Sequence, residues 1–276
     1  MSWYELFRGH RLKFGFTLFL LLVEYLTALL FPLFIGYAID DAMEGSTTGA
    51  IQLGILGLAE LVVGMGRRVF DSRLYALIFR QLGEDILTKT SEQSSSVKTA
   101  RLNMIRELVE FMENSLPELI GNVIGLVGVI AIIATLNIKV FVGCLICTVV
   151  ISLIYLLTSR RTVRLNRSYN DELEKQVDVV ASEDPVQLHE HLKSVMKWNI
   201  KLSDLEAGNF SFSWLILVVF LLLSVLIPIQ DGVVQYGALF ALVMYAFEYI
   251  EYVLGLPLFY QHWLRLSEIR ERLNEW

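Results

Sequence analysis

The sequence predicts an all-α polytopic membrane protein with six transmembrane helices and long cytoplasmic extensions. Three observations carry that reading. The 276 residues are 55% hydrophobic and only 19% charged, with a mean hydropathy of +0.54, more apolar side chain than a soluble domain of this length ordinarily carries. Six apolar runs approach or exceed the roughly 20 residues a helix needs to cross the hydrocarbon. Lysine and arginine gather on one side of those runs.

The runs fall at about 14–38, 48–66, 117–136, 138–158, 211–229 and 234–260. Each must be helical, because lipid offers no partner to an unpaired backbone group. The first follows Arg8, Arg11 and Lys13 and so resembles a signal peptide. It is too long for a signal core, and Tyr37-Ala38-Ile39-Asp40-Asp41 lacks a small-x-small cleavage site, so it reads as a retained span. The second is the weakest, glycine-rich and interrupted by Glu60. The third presents Gly121, Gly125 and Gly128 on a small-residue face suited to close helix packing. A tight turn at Asn137 leads into the fourth, where Cys144 and Cys147 have the redox dithiol spacing. With no cationic neighbour to stabilise a thiolate, they read as packing residues, and two cysteines make neither a disulfide framework nor a zinc set. Pro32, Pro228 and Pro257 lie in or near spans and can kink them; Pro257 could serve a bending sixth helix or a static kink.

Charge sets the orientation. The links 39–47, at Asn137 and 230–233 hold Asp40, Asp41, Glu44 and Asp231 against one basic residue, Lys139. The positive-inside rule then places both termini in the cytoplasm, which in a bacterium means the inner (plasma) membrane. The stretches 67–116 and 159–210 mix charges with apolar residues at three-to-four spacing, including Leu74, Ile78 and Leu82 in the first and Leu188, Leu192 and Val195 in the second. They predict helices 2 to 5 running on past the bilayer, with breaks near Ser94–Thr99 and Ser182–Pro185; two independent helical loops are the alternative. Arg67-Arg68, Arg160-Arg161, Arg164 and Arg167 sit at the membrane border, where orientation and anionic lipid account for them. The net charge of −6 and the lack of a separate basic stripe point away from nucleic acid. His189 and His191 do not share a helical face and are expected in solvent, so no metal centre is predicted.

Four stretches resemble the membrane domain of type IV ABC exporters. Leu30-Phe31-Pro32-Leu33-Phe34-Ile35-Gly36-Tyr37-Ala38-Ile39-Asp40 is similar to the end of that family's first helix, and Gly66-Arg67-Arg68-Val69-Phe70-Asp71-Ser72-Arg73-Leu74-Tyr75 to the inner part of its second. Ala100-Arg101-Leu102-Asn103, leading to Leu116-Pro117, resembles the element after the first coupling helix. Gln235-Tyr236-Gly237-Ala238-Leu239-Phe240-Ala241, with Leu256-Pro257-Leu258 and Ser267-Glu268-Ile269-Arg270-Glu271-Arg272-Leu273, resembles the sixth helix and its exit. The resemblance implies a domain-swapped homodimer in which helices 4 and 5 cross to the partner. It implies a first coupling region around Glu92, Val97 and Lys98, and a second around Val186, Gln187 and His189. The family's ATPase would follow the sixth helix, whereas this sequence stops at Trp276. No Gly-rich loop ending in Gly-Lys-Ser/Thr occurs, so the resemblance implies a stand-alone membrane domain with no enzymatic activity and no cofactor of its own. Relatives of the fold that import peptides on a proton gradient also lack ATPase domains.

Glu24, Glu60, Glu248 and Glu251 lie inside apolar spans with no basic residue in the same span. Each must be protonated, paired, or exposed to a water-filled cavity; hydrogen bonding between helices is the plainer alternative. Glu248 and Glu251 share a face of the sixth span, interleaved with Tyr245, Tyr249 and Tyr252, whose phenols can reach a carboxylate or offer ring faces to a cation. A tyrosine belt at a membrane interface fits less well, since the cluster is near mid-span. These seven residues form the candidate proton or substrate pathway. Three functions remain open: transport of a small or amphipathic, cationic solute by a homodimer in the lipid bilayer, with proton coupling; the membrane subunit of a split ABC transporter with a separate ATPase chain; and a non-transporting scaffold or channel.

Overall fold

The first apolar run folds as two helices, α1 (Arg11–Ala28) and α2 (Phe31–Met43). The sequence pattern suggested one. Pro32 stands in the first turn of α2 and has no N–H to continue the ladder from α1. The chain tightens there, with Leu30 N donating to Thr27 O at 3.0 Å. The structure is a computed structural model and describes residues 10–89, 94–232 and 235–274. Glu92 lies outside them, as does the side chain of Val97.

The remaining elements are α3 (Thr48–Lys89), α4 (Ser95–Glu110), a π-helical turn (Phe111–Ser115), α5 (Leu116–Leu136), α6 (Ile138–Glu174), α7 (Gln176–Ala181), α8 (Pro185–Gln230) and α9 (Tyr236–Asn274). No strand occurs among the described residues, and six helical stretches are long and apolar enough to cross a membrane. The chain packs as two units, one built from α1–α5 and α9, the other from α6–α8.

In the first unit, α3 runs unbroken for 42 residues, about 63 Å at the helical rise. It carries the second span and its polar extension as a single rod. Leu74, Tyr75 and Ile78 on one face meet Ile105 and Leu108 of α4 and Met112 of the π turn in a buried cluster, which gives the extension the packed partner a water-exposed helix requires. The π turn lies where α4 joins α5, directly before Pro117; one wide turn accommodates the proline without ending the rod.

In the second unit, α6 and α8 form a long hairpin around the short α7. The break expected near Ser182–Pro185 is present, with Glu183 at φ 51° and Asp184 Oδ1 accepting from Val186 N at 2.8 Å. Pro228 lies inside α8 without ending it. Cys144 and Cys147 are buried and form no disulfide. His191 departs from expectation. It is buried, with Nδ1 3.4 Å from Glu172 Oε1, while His189 is exposed. The α6 end and the α8 start fold back on each other over α7 and enclose that ring, a long-range event the local i, i+2 pattern does not encode.

Candidate functional site

The polar groups of the first unit are set by how its helices meet. On α9, Leu242, Tyr245, Ala246, Tyr249 and Val253 form the buried face. Tyr252 flanks this face, and its ring lies over Gly125 of α5. Tyr25 of α1 lies over Gly121, and Leu29 over Gly128. A Cβ at any of the three glycines would overlap these side chains. The small-residue face therefore serves close packing, as the sequence suggested, but it seats two rings and a leucine.

Tyr245 donates its hydroxyl hydrogen bond to Leu29 O at 2.5 Å, at the break between α1 and α2. The phenol thus supports a main-chain carbonyl released by the helix break, where the sequence suggested a carboxylate partner. One residue pair brings backbones together: a Cβ on Gly36 or Gly237 would overlap the other's carbonyl, which lets α2 and α9 touch directly. Beside it Asp40 Oδ1 accepts from Gly237 N at 2.8 Å, and Asp41 Oδ2 accepts from Gly49 N at 2.7 Å. Two adjacent aspartates, legible in the sequence only as outside charge, cap the starts of two different helices.

Two of the four intramembrane carboxylates have partners across the α1–α3 seam. Glu24 pairs with Arg67, which also binds Asp71 Oδ2 at 2.9 Å. The three side chains are 15%, 12% and 5% exposed. Glu60 accepts a hydrogen bond from Thr27 Oγ1. Glu24 takes one of the three outcomes expected of it, pairing with a cation, here from α3. One expectation is corrected: Arg67, assigned to the lipid border, turns inward as that cation. The Arg67/Asp71 spacing of four was a usable signal; the link to Glu24 was not, since 43 residues separate the partners.

Glu248 and Glu251 are arranged differently. Glu248 is half-buried at the edge of α9's buried face, and Glu251 is exposed on the side away from it. Neither has a hydrogen bond or ion pair to another described residue. The seven pathway candidates therefore sort into a partnered pair, Glu24 and Glu60; three packing tyrosines, Tyr245, Tyr249 and Tyr252; and two carboxylates, Glu248 and Glu251, with no partner among the described residues. Of the coupling-region candidates, Lys98 lies in the first turns of α4, and Val186, Gln187 and His189 are exposed in the first turns of α8. Among the described residues no group of three or more His, Cys, Asp or Glu could hold a metal ion.

A family model described as ABC transporter transmembrane region matches residues 5–237. No curated protein matches the chain.

Proposed function

The chain belongs to the ABC transporter transmembrane region family, and from that premise we propose that it forms, as a homodimer, a pathway for a small or amphipathic, cationic solute, coupled to protons. It sits in the bacterial inner membrane with both termini in the cytoplasm. Glu248 and Glu251 line the pathway, and Glu24 and Glu60 hold α1 to α3.

The observation that carries this reading is the contrast among the four glutamates. Glu24 and Glu60 have partners in the α1–α3 seam, whereas Glu248, half-buried, and Glu251, exposed, have none on α9 among the described residues. A carboxylate facing hydrocarbon costs several kcal/mol. Two on one helix face are better explained by an aqueous cavity, where they can take a proton or attract a cation. The test is reconstitution without nucleotide, with a pH gradient imposed and a panel of cationic compounds supplied. Solute flux that moves protons is expected, and Glu248→Gln or Glu251→Gln abolishes or strongly shifts its pH dependence while leaving folding and dimerisation intact. Absence of both solute and proton movement in the wild-type protein overturns the reading.

One observation favours a second reading, the membrane subunit of a split transporter. Val177, Val180, Val186 and Leu192 lie past the apolar part of the α6–α8 hairpin and are strongly exposed, Val177 at 76% and Val186 at 71%. Outside lipid such residues call for a protein surface. A separate ATPase docking at the start of α8 would cover them. Purification from native membranes decides: an ATPase chain that comes with the tagged protein, and is lost on Val186→Ser, supports this second reading over the first.

A further inference from the structure

The seam between α6 and α8 opens into a groove that neither reading uses. Its volume is about 580 Å³, inside the range of roughly 300–1,000 Å³ typical of small-molecule sites. Its two walls are single helix faces with spacings of three and four, and its lining changes along its length. Ile154, Leu157 and Phe212 form one end, continuous with the apolar spans; Arg161, Lys201 and Asp204 form the other. Between them Asn209 Nδ2 donates to Thr158 Oγ1 at 2.9 Å, fixing the antiparallel register of the hairpin.

Gly208 lies on the α8 wall, deep inside a helix of 46 residues. Glycine weakens a helix interior and usually marks a close approach. No close approach exists here. A Cβ at Gly208 would meet no atom within 4 Å. The missing side chain serves the groove, which it keeps open.

We propose that this groove is a phospholipid site. The phosphate lies between Arg161 and Lys201, and the start of an acyl chain runs along Ile154, Leu157 and Phe212. Two cations against one carboxylate leave the polar end net positive. Basic groups at the end of an apolar span sit at headgroup depth, where they attract lipid phosphate through charge-assisted hydrogen bonds. The apolar end supplies what a phosphate alone cannot use, a wall for hydrocarbon. On the orientation proposed above, the lipid belongs to the cytoplasmic leaflet. A second copy of the chain in the same place would have to desolvate Arg161 and Lys201. The proposal does not depend on the transport reading, since it concerns retention of lipid and not flux.

The experiment compares wild type, Gly208→Leu, the double variant Arg161→Gln/Lys201→Gln, and Gly208→Ala, all purified in mild detergent. Each is washed and titrated with mixed micelles containing phosphatidylglycerol, and retained phospholipid is read by native mass spectrometry. Wild type and Gly208→Ala are expected to hold phospholipid through washing. Gly208→Leu, which sends a side chain into the groove from a position where a Cβ meets no atom within 4 Å, and the double variant are expected to bind it roughly tenfold or more weakly. Unchanged helicity and melting in Gly208→Leu separate loss of the site from loss of fold. Equal retention in all four proteins overturns the proposal. So does a Gly208→Leu protein that keeps its lipid but loses self-association, which would give the groove to a second copy. Displacement of the lipid by inorganic phosphate at comparable concentration also overturns it, as that outcome marks a free-anion site.

Discussion

The α1–α5/α9 unit and the α6–α8 hairpin are both built from apolar spans, yet they are held by different means. In the first unit, contacts distant in sequence close the structure through specific polar geometry. Asp40 reaches Gly237 across 197 positions, Tyr245 reaches Leu29 across 216, and Arg67 bridges Glu24 and Asp71. Three glycines of α5 receive side chains shaped to them. The hairpin is joined across a simple antiparallel seam, by Asn209 to Thr158 and His191 to Glu172. It leaves a groove in that seam and apolar side chains exposed at its polar tip. The difference teaches that the first unit pairs Asp40, Tyr245, Glu24 and Glu60 within the chain, while the hairpin leaves a groove and a tip that the proposals above give to lipid and to protein.

The largest effect should come from the first unit's ion network. Arg67→Met leaves Glu24 and Asp71 buried without their cation, which costs about 3–5 kcal/mol when such a pair is broken. The expected outcome is a sharp drop in thermal midpoint in detergent. Glu24→Gln/Arg67→Met/Asp71→Asn, which removes the charges together, should recover much of it. Equal destabilisation by the triple variant would mean that Arg67 acts by its bulk.

Next is the glycine face. Gly125→Leu puts a side chain where the Tyr252 ring lies, and overpacking of this kind costs about 1–3 kcal/mol. Adding Tyr252→Ala clears the space, so the double variant should be more stable than Gly125→Leu alone. A double variant no better than the single one would show that the ring is not what the glycine accommodates.

How far these contacts were legible depends on their range. The six spans, the turn at Asn137 and the break at Ser182–Pro185 follow from apolar run length and from local turn and capping chemistry, and the sequence displays both; of the break expected near Ser94–Thr99 only Ser94 is non-helical, since α4 starts at Ser95. The helix break at Leu29–Leu30 was hidden, because Pro32 could equally have kinked a continuous helix; the carbonyl it releases is taken by a tyrosine from the far end of the chain. Glu24, Glu60, Glu248 and Glu251 were identifiable from the cost of a carboxylate in hydrocarbon, which a sequence shows directly. Which of them had partners was not, since Arg67 and Thr27 lie on neighbouring helices and only packing brings them into reach. The groove escaped notice for the opposite reason: Gly208 looks like any helical glycine until the space around it is seen.

A smaller effect is expected from the caps. Asp40→Ala removes the acceptor for Gly237 N at the start of α9 and should cost about 1 kcal/mol, as loss of an N-cap generally does. Asp41→Ala should cost a similar amount at α3. The two caps serve different helices and share no hydrogen bond, so additivity to within about 0.5 kcal/mol, the behaviour of independent sites, tests whether these neighbouring residues act separately. Strong non-additivity in the double variant's melting would mean that the α2–α3 turn fails as a whole when either cap is lost.

The smallest effect on stability is expected at the hairpin tip. Val186→Ser/Leu192→Ser replaces exposed apolar residues in the first turns of α8. Surface substitutions away from caps and cores usually change stability by less than about 0.5 kcal/mol, so the melting of the isolated protein should scarcely move. Association should move instead, because these side chains lie beyond the apolar part of the hairpin and are satisfied only by a protein surface. Sedimentation of the purified protein and recovery of partner chains from native membranes separate the candidates. Loss of the homodimer would assign the tip to a second copy, and loss of a copurifying ATPase with the dimer intact would assign it to a motor chain. Destabilisation of the isolated protein by more than 1 kcal/mol, with association unchanged, would break the comparison from the other side. The tip would then belong to the hairpin's own core, and α6–α8 would be as self-contained as the unit built around α9.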